Sequence, residues 1–269
     1  MKLKLTALAV LLLLLCISVN VSAQQFRLRN YSFGYRIFEL EPVGNNPLTI
    51  SPILKNPEAY NDYLSSIRYN GFTGNPAPFR LHTFYLNGEF AKTGTSSRFW
   101  KKHTLQAGIV VTGKFTTSGG SLENRYWPGD TMTIVNEYVL TKNQQFFGLN
   151  LGLNHRFKIS GKLQFLAGVH GQGSFALVHN YEQRWDSIVH FPGQDGFFTT
   201  STQLPSLKGK NFFQWQLMFP LGFEYDLYHK QFFVRIEIDP GIVGSPYRPK
   251  SFYSRETYGA GIWLVYQPR

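Results

Sequence analysis

Between Phe212 and Leu227 the chain alternates with a period of two. Phe213, Trp215, Leu217, Phe219, Leu221, Phe223, Tyr225 and Leu227 are all apolar or aromatic, and the positions between them include Gln214, Gln216, Gly222, Glu224 and Asp226. In a chain that is 43% hydrophobic, such an unbroken run on one parity arises by chance about 0.1% of the time, and a period of two is the signature of a strand with two unlike faces. A helix cannot carry this pattern on one side.

The pattern recurs. It appears in Gln144–Lys158, where Phe147, Leu149, Leu151, Leu153 and Phe157 share a face, and in Lys162–Val178, where Leu163, Phe165, Ala167, Val169, Phe175 and Leu177 do. His103–Thr116, Phe232–Ile238 and Tyr258–Tyr266 repeat it. Two further strands change phase: Phe26–Phe38, and Phe79–Phe90 near Tyr85, each read as containing a bulge. The expected total is eight strands. Their connections alternate between long (39–78, 117–143, 179–211, 241–256) and short (91–102, 159–161, 228–230). Ile159-Ser160-Gly161 reads as a hairpin with glycine in the left-handed position. Asn56-Pro57-Glu58 reads as the start of a short helix in the first long loop.

Two arrangements of eight alternating strands compete. In a soluble barrel the apolar face turns inward and a charged face meets water. Here the second face is mostly Gly, Asn, Gln and Ser, and only 16% of the 269 residues are charged, against about 25% in soluble proteins. Aromatics mark both ends of the apolar face: Phe115, Phe147, Phe175, Phe213, Trp215 and Tyr258 at the long-loop end, and Phe157, Phe165, Phe223, Tyr225, Phe232 and Tyr266 at the short-turn end. Two such girdles are what membrane interfaces select. The expected fold is all-β: an eight-stranded antiparallel up-and-down transmembrane β-barrel with four long external loops and three short periplasmic turns.

The N-terminus agrees. Lys2 and Lys4 precede an apolar run from Leu5 to Val19, then Val21-Ser22-Ala23. Residues 1–23 read as a secretory signal peptide cleaved after Ala23, leaving residues 24–269 as the barrel. Cys16, the one cysteine, leaves with the signal. Location in the bacterial outer membrane is expected.

The runs Gln145–Phe157 and Phe219-Pro220-Leu221-Gly222-Phe223-Glu224-Tyr225, with the final strand ending on Tyr266, resemble small outer-membrane β-barrels of the OmpA/OmpX type. More particularly, they resemble the outer-membrane β-barrel domain family that includes the secretion-associated PorT proteins. The resemblance implies a non-enzymatic structural or interaction barrel, an accessory of protein secretion. A small hydrophobic-ligand or lipid-handling barrel of the OmpW kind is the alternative, with a lipid-modifying enzyme behind it.

The formal charge of +11 concentrates at the short-turn end, in Lys92, Arg98, Lys101, Lys102, Arg156, Lys158 and Lys162. Two readings stay open there: contact with anionic headgroups of the outer-membrane lipid, or docking of an acidic periplasmic or outer-membrane protein partner. Nucleic acid is not needed to explain the charge. The inward face is expected to hold a polar network of Arg156, His170, Gln172, Gln214, Gln216, Glu224, Arg235 and Glu237, with Lys114 also inward. If Leu227 faces Phe232 across the turn, Glu224 lies opposite Arg235. As to chemistry, His179 falls on the lipid parity above Leu177, where a lipid-modifying base would stand, while His170 and Ser174 share the inner face. The histidines lack metal spacing and no cofactor is called for. Pro220, inside the most regular strand, reads either as a bulge or as the edge of a lateral opening.

Overall fold

The computed structural model describes residues 26–40, 50–66, 71–73, 79–128, 132–191, 197–248 and 251–268; the expected signal peptide lies outside them. Twelve strands form one antiparallel sheet among the described residues. They are β1 (Phe26–Leu40), β2 (Gly71–Thr73), β3 (Phe79–Lys92), β4 (His103–Thr112), β5 (Phe115–Tyr126), β6 (Thr133–Lys158), β7 (Leu163–His190), β8 (Phe197–Lys208), β9 (Phe213–Met218), β10 (Leu221–Tyr228), β11 (Phe232–Arg248) and β12 (Ser251–Tyr266). A 3-10 turn spans Ser51–Ile53, helix α1 spans Pro57–Ser66 and helix α2 spans Arg98–Lys102. Helix α1 begins on Pro57 with Glu58 in its first turn, where a missing N–H and a negative charge suit the helix dipole.

The pairing closes a circuit. From β1 it passes to β3, β4, β6 and β7, then to β9 and β10, which share both neighbours, then to β11 and β12, which returns to β1.

The count of twelve corrects the expected eight, for three physical reasons. Gly113-Lys114 separate β4 from β5, and Lys114 is exposed in that break rather than inward. Phe219-Pro220 separate β9 from β10. Much of the sequence expected as long loops is strand: β5 pairs with the first half of β6, β8 pairs with the second half of β7, and β11 and β12 pair out to Arg248 and Ser251. Both faces of these stretches mix polar with apolar residues, Lys142 and Gln183 being buried alongside Tyr138, Leu140 and Tyr181, so regular apolar alternation stops where the strands do not.

The register sets which side chains meet inside. A bulge between Leu28 and Asn30 resolves the phase change of β1. β3 has no such shift: Leu81 and Tyr85 are simply buried inside, Tyr85 packing on Trp263 with ring centroids 5.3 Å apart. Glu224 is opposite Arg235 as expected, although Tyr228 rather than Leu227 faces Phe232 and the bulge falls between Asp226 and Tyr228. The β6–β7 turn has four residues, 159–162, and Gly161 has no positive φ; the Ser160 hydroxyl instead accepts from the backbone N–H of Lys162 and Leu163 at 3.4 and 3.2 Å.

Pro220 is neither a bulge nor an opening. Residues His170 and Met218 pair on one side of it and Ala167 and Leu221 on the other, in unbroken register. The Phe219 N–H donates to the Pro240 carbonyl at 2.9 Å, and the Pro220 carbonyl accepts from the Gly168 N–H at 2.9 Å. A proline at this position costs one ladder hydrogen bond and leaves the wall continuous.

Two clusters of buried apolar side chains sit at different heights. One lies within the circuit, with Phe38, Leu81, Tyr85, Val110, Phe146, Met218 and Trp263 among its members. The other lies between the long-loop extensions and the segment 50–66. It joins Ile50, Leu54 and Tyr60 to Leu122, Tyr138, Leu140 and Tyr181. That segment is stitched to β8: the Lys55 N–H donates to the Lys208 carbonyl at 2.9 Å, and the Lys210 N–H to the Ile53 carbonyl at 2.7 Å.

Candidate functional site

The inner face carries the unusual chemistry. Arg36 (β1), Glu89 (β3), Arg156 (β6), Glu224 (β10), Arg235, Glu237 and Asp239 (β11) converge inside the circuit. Glu89, Arg235 and Glu237 are at most 1% exposed. Arg235 Nη2 donates to Glu224 Oε2 at 2.6 Å and to Glu89 Oε1 at 2.7 Å, and its Nη1 to Glu237 Oε1 at 3.3 Å. Arg156 donates to Glu89, to Glu224 Oε1 at 3.3 Å and to Thr104 Oγ1 at 3.1 Å. Arg36 Nη2 donates to Glu237 Oε2 at 2.5 Å. Arg36 Nε lies 2.9 Å from Asp239 Oδ2 as an ion pair without hydrogen-bond geometry. The guanidinium of Arg36 also stands over the rings of Tyr85 and Trp263, at 5.0 and 4.7 Å.

Buried charges persist only when paired and hydrogen-bonded. The strands meet that demand by placing three guanidinium groups among four carboxylates. Neutral groups extend the network. The Asn30 amide donates to Glu89 Oε2 at 3.1 Å, that of Asn154 to Gln106 Oε1 at 2.9 Å, and His170 Nε2 donates to Asn154 Oδ1 at 2.7 Å. The Tyr85 hydroxyl donates to Gln172, which in turn donates to Ser174 Oγ at 3.1 Å. Glycines opposite the large side chains make the room: a Cβ on Gly34 would lie 2.0 Å from the Trp263 ring, and one on Gly152 2.2 Å from that of His170.

Of the residues singled out in the sequence, Arg156, Glu224, Arg235 and Glu237 meet directly, with His170 joined through Asn154. Gln172, Gln214 and Gln216 lie higher, Gln216 opposite Gln172 and Gln214 opposite Ser174. Arg36, Glu89 and Asp239 complete the cluster and were not singled out. An acid isolated among Leu86, Asn87, Gly88 and Phe90 is the signal that marks Glu89.

Arg156 also leaves the basic patch, because its side chain is 7% exposed and held by Glu89 and Glu224. Arg98, Lys101, Lys102, Lys158 and Lys162 are exposed at the short-turn end, and Lys92 lies over the Trp100 ring at 5.7 Å.

The outer face is the inverse of the inner one. Leu149, Leu151, Phe223, Ile236, Ile238, Ile262 and Leu264 are all exposed, Leu151 by 66%. Phe157, Phe165 and Phe223 run across three strands with ring centroids 5.9 and 5.4 Å apart, and Phe175 meets Phe213 at 5.1 Å.

His179 is not on that outer face. The β6–β7 pairing shifts beside Leu177, which turns His179 inward. Its Nδ1 donates to the Lys210 carbonyl at 2.7 Å and its Nε2 accepts from the Tyr181 hydroxyl at 3.1 Å. Both nitrogens are committed, so it has neither the place nor the free lone pair of a lipid-facing base. Among the described residues, no group of three or more His, Cys, Asp or Glu is arranged to hold a metal ion.

No protein-family model and no curated protein matches the chain. Among solved structures, the KdgM porin is 9% identical over 88% of this chain and 99% of that one, with a TM-score of 0.18. The Pseudomonas putida toluene transporter TodX is 8% identical over 89% of each chain, with a TM-score of 0.22. The Ralstonia pickettii toluene transporter TbuX is 11% identical over 90% of each, with a TM-score of 0.17. Likenesses this slight carry no argument about this chain, and none of the comparisons supports the OmpA/OmpX or PorT-like resemblance.

Proposed function

We propose that the chain is an eight-stave transmembrane β-barrel of the bacterial outer membrane, closed to diffusion, that works as a structural or interaction protein and not as an enzyme. The staves are β1, β3, β4 continued by β5, β6, β7, β9 continued by β10, β11 and β12. The observation that carries this reading is the inversion of the two faces: a paired charge cluster inside and an exposed apolar wall outside. In water that wall would be costly, since soluble monomers rarely expose contiguous apolar patches beyond a few hundred Å².

The dimensions agree. Ten residues separate Phe147 from Phe157 on β6, about 33 Å along a strand and about 25 Å along the axis of a barrel tilted by about 40°, the height of a membrane-embedded apolar band. The continuous register at Pro220 removes the motive for a lateral ligand portal, and the inward turn of His179 removes that for a lipid-modifying base. An accessory role in secretion has no counterpart among these features, so the reading stops at an interaction barrel.

The test is fractionation followed by gel migration. The protein is expected with the outer membrane and should resist SDS at room temperature, its band shifting only on boiling. Recovery as a soluble periplasmic protein would overturn the reading.

A further inference from the structure

The hairpin turns at the basic end are unequal in length. Tyr225 on β10 faces Leu163, the first residue of β7, and the Asp226 N–H donates to the Lys162 carbonyl at 2.8 Å, so Asp226, Leu227 and Tyr228 run on beside the four-residue turn 159–162. Between the two turns lies a groove of about 590 Å³ whose lining includes these three residues with Lys162, His229 and Lys230.

The turn itself is built against local preference. His229 and Lys230 have φ of 45° and 59°, the left-handed region where a two-residue hairpin turn ordinarily places glycine, asparagine or aspartate. Backbone strain of this kind persists where the surroundings enforce it, and it clusters at functional sites. Here Asp226 enforces it: both its carboxylate oxygens accept from the Lys230 backbone N–H, at 2.9 and 3.0 Å. The one acid of the groove is thereby committed to the backbone, while Lys162, His229 and Lys230 are exposed. Leu227 and Tyr228, exposed by 55% and 57%, continue the outer apolar wall of Phe223 and Tyr225 to the groove's edge.

We propose that this groove seats the phosphate headgroup of an anionic phospholipid, with the acyl chains lying against Leu227, Tyr225 and Phe223. Two ammonium groups supply the charge complement, the imidazole adds a hydrogen-bonding group, and the adjoining apolar wall distinguishes a lipid from a soluble anion or an acidic peptide. The proposal rests on the membrane-barrel reading above.

Its test uses the full-length mature protein in phosphatidylcholine vesicles with and without phosphatidylglycerol. The comparison is with a variant carrying His229→Asn and Lys230→Gly, which suits the turn better and removes two of the three cationic or imidazole groups. Phosphatidylglycerol is expected to raise the unfolding midpoint of the wild type by about 5 °C. The variant should melt no lower than the wild type in phosphatidylcholine and lose most of that rise. An equal rise in both proteins would overturn the proposal. So would the same rise from inorganic phosphate alone, or protection by polyglutamate in place of phosphatidylglycerol. Failure to enter either vesicle would overturn the barrel reading itself, whereas insertion without lipid dependence overturns the groove alone.

Discussion

Glu89 receives four donors from three strands: Asn30 on β1, Arg156 and Asn154 on β6, and Arg235 on β11. Replacing it with Gln keeps the shape and removes the charge, leaving Arg156 and Arg235 to share Glu224 and Glu237. Breaking a fully buried pair costs about 3–5 kcal/mol. Glu89→Gln is therefore expected to lower the temperature of the gel-band shift by at least about 5 °C, and a shift unchanged from the wild type would show that the cluster is wetter than its geometry implies. The pair Glu224–Arg235 was legible in the sequence because both residues lie on strands of clean alternation joined by a short turn. Glu89 and Arg36 were not. Apolar Leu81 and Tyr85 on the inner face mimic a phase change in β3, and the bulge after Leu28 produces a real one in β1, so parity there could not assign sides.

The same limit operates on whole strands. Alternation traces a strand only where its two faces differ in polarity, which is why the spans between the aromatic girdles could be read and their extensions beyond Phe147 and Phe175 could not. The shift beside Leu177 then reverses the sides of the residues just above it on β7, turning His179, Tyr181 and Gln183 inward. Burial first, and next the charge of Lys142, hold the His179 pKa down to about 4 despite the hydrogen bond to Lys210, and burial holds that of Lys142 down to about 7. Each is a base whose folded pKa lies below its unfolded value, so unfolding takes up protons in the interval between the two. The stability of the long-loop end should accordingly fall as pH drops from 10.5 to about 7 through Lys142, and again from 6.5 to about 4 through His179. Hydrogen exchange of β6–β8 amides across this range should show both declines. His179→Gln should abolish the acid one and leave the alkaline one in place, and an acid decline that persists in the variant would assign it to another group.

At the scale of the molecule, the interior is filled along its length by two apolar clusters and the charge band, the inner cluster reaching past the band to Phe233 and Val265 at the turn end. The segment 50–66 covers the long-loop end, Phe38, Leu81, Phe146 and Met218 fill the level beneath it, and the three arginines with their carboxylates fill the turn-end half. Eight staves enclose a space that side chains alone can fill, and here bulky ones do so, with glycine opposite Trp263 and His170 to admit them. The wild-type protein in a planar bilayer is expected to show no long-lived conductance. Deleting residues 50–66 removes only the outermost layer, so a folded deletion variant, verified by its gel shift, should remain silent as well. Stable channels appearing on that deletion would mean that the charge band leaves a continuous water path, and that the covering segment is the gate of a pore. Silence in both proteins would place the activity of the molecule on its two rims, where the exposed basic turns and the strand extensions meet whatever it binds.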